Sequence, residues 1–194
     1  MKKIMFNDRY GLTQAVIEGR KTMTRRLADP KQNIKISNGG NLLELGFGLY
    51  GLIEDDDWES IEPKYNLGKI VAVAQSYNSF YDDTYNPVLF PAGAGWNNKM
   101  FVKSELMPHQ IRITGIKCER LQDISDEECL REGIRQFTPN FPKNLPIHPT
   151  HFVVGDILKD TPREAFAALI DKVSGRGTWA SNPWVVAYEF ELVK

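Results

Sequence analysis

The run Ile111-Arg112-Ile113-Thr114-Gly115-Ile116-Lys117-Cys118-Glu119-Arg120-Leu121 narrows most what this chain can become. Its apolar positions, Ile111, Ile113, Ile116 and Cys118, change parity around Gly115. A strand alternates its faces with a period of two, so keeping one apolar face across that change needs an extra residue, a β-bulge. Bulges belong mainly to antiparallel pairing. Further strand-like runs stand at residues 1–6, Lys69–Ala74 and Trp184–Leu192. The Lys69–Ala74 run is nearly continuous in apolar residues, which predicts burial on both faces.

Helices are few. Asn7 or Asp8 can cap one over about 8–18, with Leu12, Ala15 and Val16 at helical spacing and Gly19 as the stop. Ser125-Asp126-Glu127-Glu128 fits a capping box, and the helix it opens runs to about Glu132, before Gly133. Thr161-Pro162-Arg163-Glu164 opens another, with Pro162 in its first turn and Phe166, Leu169, Ile170 and Val173 as its buried stripe. Strands outnumber helices and do not alternate regularly with them. The predicted class is α+β, with a curved, mostly antiparallel sheet or small barrel and flanking helices.

The 194 residues suit one domain, 1–194. Loop or strand insertions are expected near 28–66, 78–98 and 138–160. In the first, Asp29-Pro30, Asn38-Gly39-Gly40 and the glycines 46, 48 and 51 separate short runs such as Asn33–Ile36 and Leu42–Leu45, which predicts hairpin strands. The second holds turn signals such as Asn86-Pro87. In the third, Pro139, Pro142, Pro146 and Pro149 predict an extended loop. No run approaches the ~20 apolar residues of a membrane helix, and the one behind Lys2-Lys3 is too short for a secretory signal. A cytoplasmic protein with no membrane partner is expected. Cys118 and Cys129 are expected as reduced thiols. His148-Pro149-Thr150-His151 reads as two loop histidines rather than a zinc site, and neither metal nor cofactor is expected.

Positive charge concentrates in Gly19-Arg20-Lys21-Thr22-Met23-Thr24-Arg25-Arg26. The formal net charge of the chain is -1, whereas domains that grip long nucleic acids are usually strongly basic. Any nucleic-acid contact must therefore be local, with the acidic run Glu54-Asp55-Asp56-Asp57 elsewhere. One reading of the segment is a solvated helix end followed by a strand facing water. The other is an anion-attracting mouth in which Lys21 and Thr24 do chemistry. Arg20, Arg25 and Arg26 would then hold the ligand, and Tyr77, Trp179 or Trp184 could stack on a base.

The Gly19–Arg26 segment resembles the signature of the ASCH domain family, whose fold is the PUA-like β-barrel. Later blocks are similar to the longer, phage-associated members: Glu119-Arg120-Leu121-Gln122-Asp123-Ile124-Ser125, Glu132-Gly133-Ile134, and Asn182-Pro183-Trp184-Val185 leading into Tyr188-Glu189-Phe190. Two blocks depart from the pattern. Gly68-Lys69 stands where members usually have Gly-Asp, and Ala74-Gln75-Ser76-Tyr77 replaces an Arg-Glu-Thr-Trp-like tail. Compact members are amidohydrolases that remove the acyl group from N4-acetylcytidine. The resemblance implies Lys21 as base, Thr24 as nucleophile and Glu132 as proton donor, with Glu128 as the fallback donor.

The chemistry sets its own conditions. A threonine hydroxyl attacks only after a base takes its proton. A lysine near its reference pKa of ~10.4 cannot be that base, so burial or neighbouring cations must lower it. A regular strand would point Lys21 and Thr24 to opposite faces. They converge only if Lys21 belongs to the turn after Gly19. Three readings stand: a module binding RNA or a modified nucleoside without turnover, an acylcytidine-type amidohydrolase, and metal-assisted RNA cleavage by family analogy. The missing charges and long insertions favour the binding module, and no metal-ligand spacing supports the third.

Overall fold

Thr114 is the residue left without a partner where the long strand bulges: Gly115 stands opposite Glu189, and Ile113 opposite Phe190. That extra residue lets Ile111 and Ile113, and then Ile116 and Cys118, pack against one core. The structure is a computed structural model describing residues 1–28, 41–46, 49–54, 57–61, 63–81, 93–138 and 150–193. Its strands are β1 (Lys3–Ile4), β2 (Met23–Leu27), β3 (Asn41–Gly46), β4 (Leu49–Glu54), β5 (Asp57–Ile61), β6 (Ile70–Val73), β7 (Gln110–Arg120), β8 (Arg135–Phe137), β9 (His151–Val154), β10 (Ile157–Lys159) and β11 (Trp184–Leu192). Its α-helices are α1 (Leu12–Ile17), α2 (Asp126–Arg131), α3 (Pro162–Ser174) and α4 (Thr178–Ser181).

The central sheet runs β1-β6-β7-β11-β2. Only β1 and β6 pair in parallel; its other pairs are antiparallel. The architecture is α+β, as expected. Among the described residues the sheet ends at β1 and β2, so the expected closure into a barrel is not seen there. A meander β3-β4-β5 occupies the first insertion, in line with the expected hairpin strands. The Asn33–Ile36 run, the Asn38-Gly39-Gly40 turn, Asp55-Asp56 and Asn86-Pro87 lie outside the described residues.

Three local expectations need correction. The helix expected over 8–18 is broken: Asp8–Tyr10 is a 3-10 turn, Gly11 takes φ 66°, and α1 starts only at Leu12. The loop expected over 138–160 contains strands, since β9 pairs with both β8 and β10. All three β8 residues are exposed, so no apolar alternation announced that strand; Pro139, Pro142, Pro146, Pro149 and His148 lie outside the described residues. In α3, Phe166, Leu169 and Ile170 are buried, each contributing about 1.5–3 kcal/mol by leaving water. Val173 is 38% exposed instead, one residue from the end of α3, where the helix runs out of the core.

Cys118 and Cys129 are both free thiols. Burial pushes each up to about 12, so neither is a ready thiolate. No helix among the described residues is long and apolar enough to cross a membrane.

Candidate functional site

A cavity of about 1080 Å³ opens between β1, β2, β11 and the apolar face of α3. Lys21, Thr24 and Glu132 all line it. Local structure explains how they meet. Gly19 adopts φ 72°, a left-handed conformation that favours glycine, and turns the chain out of the first helix. The Lys21 N–H then donates to the Ala15 carbonyl, so Lys21 still belongs to this turn and not to β2. That removes the parity conflict with Thr24. Within β2, Thr24 stands opposite Tyr188 and Arg26 opposite Val186. Alternation puts these four on one face of the sheet, and all four line the cavity.

Glu132 arrives from the other side. The capping box is present as read: the Ser125 hydroxyl accepts from the Glu128 N–H, and the Glu128 carboxylate accepts from the Ser125 N–H. Glu132 is the C-terminal cap of α2, and Gly133 at φ 104° ends the turn. The close fit is tight: a Cβ on Gly133 would come within 3.2 Å of Leu12 and 3.5 Å of the Lys21 Cβ.

Lys21 and Glu132 form a pair almost wholly removed from water, with side-chain exposures of 1% and 5%. The Lys21 ammonium donates to Glu132 Oε2 at 2.6 Å, to the Glu132 carbonyl at 2.7 Å and to the Met23 carbonyl at 2.8 Å. Burial lowers the pKa of Lys21 below the ordinary lysine value; Glu132 pulls it up, while Arg26 and Arg25 push it down. Thr24 is only 4% exposed as a residue, and no hydrogen bond to its hydroxyl occurs among the described residues, although the oxygen itself is not sealed off from the cavity. It is a free hydroxyl on the cavity wall.

Arg25 takes a different part from the ligand contact expected of it. It lines the same cavity, but its strand position is on the sheet face opposite Thr24, next to Ala187 and Lys117 in register. Its side chain is 0% exposed. Nε donates to Glu119 at 2.7 Å, Nη1 to Glu132 at 3.2 Å and to the Met23 sulfur at 3.3 Å, and Nη2 to Glu128 at 2.6 Å. Nη2 also lies 2.6 Å from Glu119. A guanidinium has five N–H groups, and these contacts occupy them. Lys117 completes the network, pairing with Glu128 and with Glu119 at 2.9 Å. Three carboxylates thus meet three cations, which is how such buried charges become tolerable. Glu119 and Lys117 were not singled out from the sequence. Glu128 and Glu132, four residues apart and so on one helix face, were the available signal.

The remaining expected ligand contacts divide. Arg26 is exposed, lines the cavity and packs over the Phe6 ring at 5.7 Å. Arg20 lies outside the cavity and pairs with Glu18 at 2.5 Å. Tyr77 is 3% exposed, packed with Ala72, Ala74, Val102 and Met107 away from the cavity. Trp184 stacks beneath the Arg120 guanidinium at 4.6 Å, also outside the cavity, with its indole N–H unpartnered among the described residues. Trp179 packs on Phe166 and beside Arg163. The aromatic rings that do reach the cavity are Phe6, Tyr65, Phe166 and Tyr188, of which Tyr65 and Tyr188 pack edge to face at 5.3 Å. Burial raises both tyrosines, Tyr188 to about 12, so both stay neutral; the Tyr65 hydroxyl donates to the Lys3 carbonyl and the Tyr188 hydroxyl accepts from the Lys64 N–H.

No group of three or more metal-ligating side chains occurs among the described residues, and His151 pairs with Asp160 at 3.0 Å. Set against protein-family models, curated proteins and solved structures, the chain matches none of them.

Proposed function

We propose that the chain is an ASCH-type amidohydrolase acting on an acylated nucleobase amine of the N4-acetylcytidine kind. One observation carries the reading: the buried Lys21–Glu132 pair shares its cavity with the unpartnered Thr24 hydroxyl. A PUA-like fold is part of the same proposal. It rests on the order of the resembling blocks and on the mostly antiparallel sheet whose edge carries Thr24.

The bonding around Lys21 suits a base that is recharged by its neighbour. An ammonium has three N–H groups and a neutral amine two. Moving one proton across the 2.6 Å to Glu132 leaves two N–H groups for the two carbonyls, and the lone pair is freed once the new Glu132 O–H turns toward the substrate. The amine then takes the Thr24 proton as Oγ1 attacks the acyl carbon. The protonated Glu132 gives its proton to the leaving amine as the C–N bond breaks. An acyl-threonine ester results, with Lys21 charged and Glu132 ionised again. Water then attacks the ester, losing one proton to Glu132, while the Lys21 ammonium returns a proton to the departing Thr24 Oγ1; the carboxylic acid leaves, and Lys21 is neutral and Glu132 protonated for the next turnover.

Incubation with N4-acetylcytidine tests this directly. Release of cytidine and acetate, abolished by Thr24→Val, is the expected result. No turnover, or equal turnover by Lys21→Ala, rejects it.

A second reading is a nucleoside-binding module without turnover. It is favoured by the saturation of Lys21, whose three N–H groups are all engaged. Tight binding of N4-acetylcytidine with no product, unchanged by Thr24→Val, would decide for it.

A further inference from the structure

The cavity is far more positive than the chain. Over all 194 residues the cations and carboxylates nearly cancel, 24 against 25. Among the described residues that line the cavity, carboxylates come only from Asp8 and Glu132. Both are already matched, Asp8 by Lys99 at 2.7 Å and Glu132 by Lys21 and Arg25. Lys2, Lys3, Arg26 and Lys64 also line it, and among the described residues none of them has a carboxylate within ion-pair distance.

The Lys3 ammonium is turned to the Met100 and Val102 carbonyls at 2.6 and 2.7 Å, which leaves Lys2, Arg26 and Lys64 to form one side of the cavity. The Lys2 ammonium donates to the Lys64 carbonyl at 2.6 Å, which joins β1 to the 63–65 segment. The Lys64 N–H donates to the Tyr188 hydroxyl at 2.9 Å, and Tyr188 stands opposite Thr24. Arg26 follows Thr24 by two residues on the same face, about 7 Å along the strand. Its guanidinium bonds a single carbonyl, that of Met5, which leaves most of its donors unused. Against this side, α3 offers Leu169, Ile170 and Val173. One wall thus suits an anion and the other a flat or apolar group, with Thr24 on the same sheet face as Arg26.

From this we infer that the cavity takes a phosphorylated substrate: an acylated nucleoside monophosphate whose phosphate sits among Lys2, Arg26 and Lys64. The inference deepens the hydrolase reading and rests on it for the acyl group alone. Long RNA fits less well. The free cations line a cavity, while Arg20, outside it, is neutralised by Glu18.

The experiment separates this from the hydrolase reading by measuring binding to Thr24→Val, which leaves the probes intact. Calorimetry compares N4-acetylcytidine with its 5′-monophosphate at low and high salt. Charge-assisted hydrogen bonds to two or three cations should tighten binding roughly tenfold or more, and the gain should shrink as salt rises. Adding Arg26→Gln and Lys64→Gln should cut the gain to less than about threefold. Equal affinities, or a phosphate gain that survives those substitutions, overturns the inference even if the wild type hydrolyses the nucleoside. A single-stranded hexaribonucleotide with the same base inside it, binding as tightly as the monophosphate, overturns it too. Phosphate-dependent binding with no hydrolysis by the wild type upholds it and removes the hydrolase reading instead.

Discussion

Glu132 holds Lys21 twice, once through its side chain at 2.6 Å and once through its backbone carbonyl at 2.7 Å. Glu132→Gln keeps the second bond and removes the charge that faces two buried cations. Breaking a buried pair from one side costs about 3–5 kcal/mol. A fall of that size in urea-unfolding stability is expected, together with loss of turnover. A change below about 1 kcal/mol would mean that the pair is hydrated in solution.

Burial places the Lys21 pKa below the ordinary lysine value of 10.5. The unfolded chain therefore binds more protons than the folded one between the lowered value and 10.5. Over that window stability rises with pH, and below the lowered value this group contributes no slope. Relative to Lys21→Met, the wild type should gain stability as pH climbs toward 10.5. Urea midpoints at stepped alkaline pH read this out, and a flat or falling difference contradicts the assignment.

Glu128 moves the other way. Burial acts to raise it, but the Lys117 hydrogen bond, the Ser125 N–H and the Arg25 and Lys117 charges hold it below its ordinary 4.5. A lowered carboxylate contributes stability above its unfolded value and loses it as pH falls through the folded one. Acidification below about 4.5 should thus weaken the wild type more steeply than Glu128→Gln, whose amide oxygen can still cap Ser125. Parallel acid-unfolding curves for the two proteins would count against the network.

Thr24→Val replaces a hydroxyl that bonds nothing among the described residues with a methyl of similar shape. Stability should stay within about 0.5 kcal/mol or rise, since no hydrogen bond is lost. Turnover should fall by at least about 10³-fold, as for removal of a nucleophile, while Thr24→Ser retains part of it. Thermal melts and product release measure the two effects separately. Equal losses of stability and activity would make Thr24 a packing residue.

Much of this was legible where a local rule acts alone. The stop at Gly19, the capping box at Ser125, the bulge near Gly115 and the proline opening of α3 each depend on a few neighbouring residues, and each stands in the structure. The cap placed Glu132 at the end of its helix, and the turn brought Lys21 and Thr24 to one cavity. What failed was long-range. Arg25 looked like a ligand contact because it adjoins Thr24, but its carboxylate partners lie 94 to 107 residues away. Tyr77 and Trp184 looked available for stacking because ring chemistry carries no sign of what covers it. The strands β8 and β9 find each other across a proline-rich stretch that hides their pairing.

The unpaired Thr114 also gives the strand one residue to spare. Removing that one residue would set Ile113 directly before Gly115, still opposite Phe190, so both halves of the strand could keep their partners on β11. Ile111, Ile113, Ile116 and Cys118 would then alternate regularly along one face. A single-residue deletion there should therefore be better tolerated than one within β11, which has no spare residue to give up.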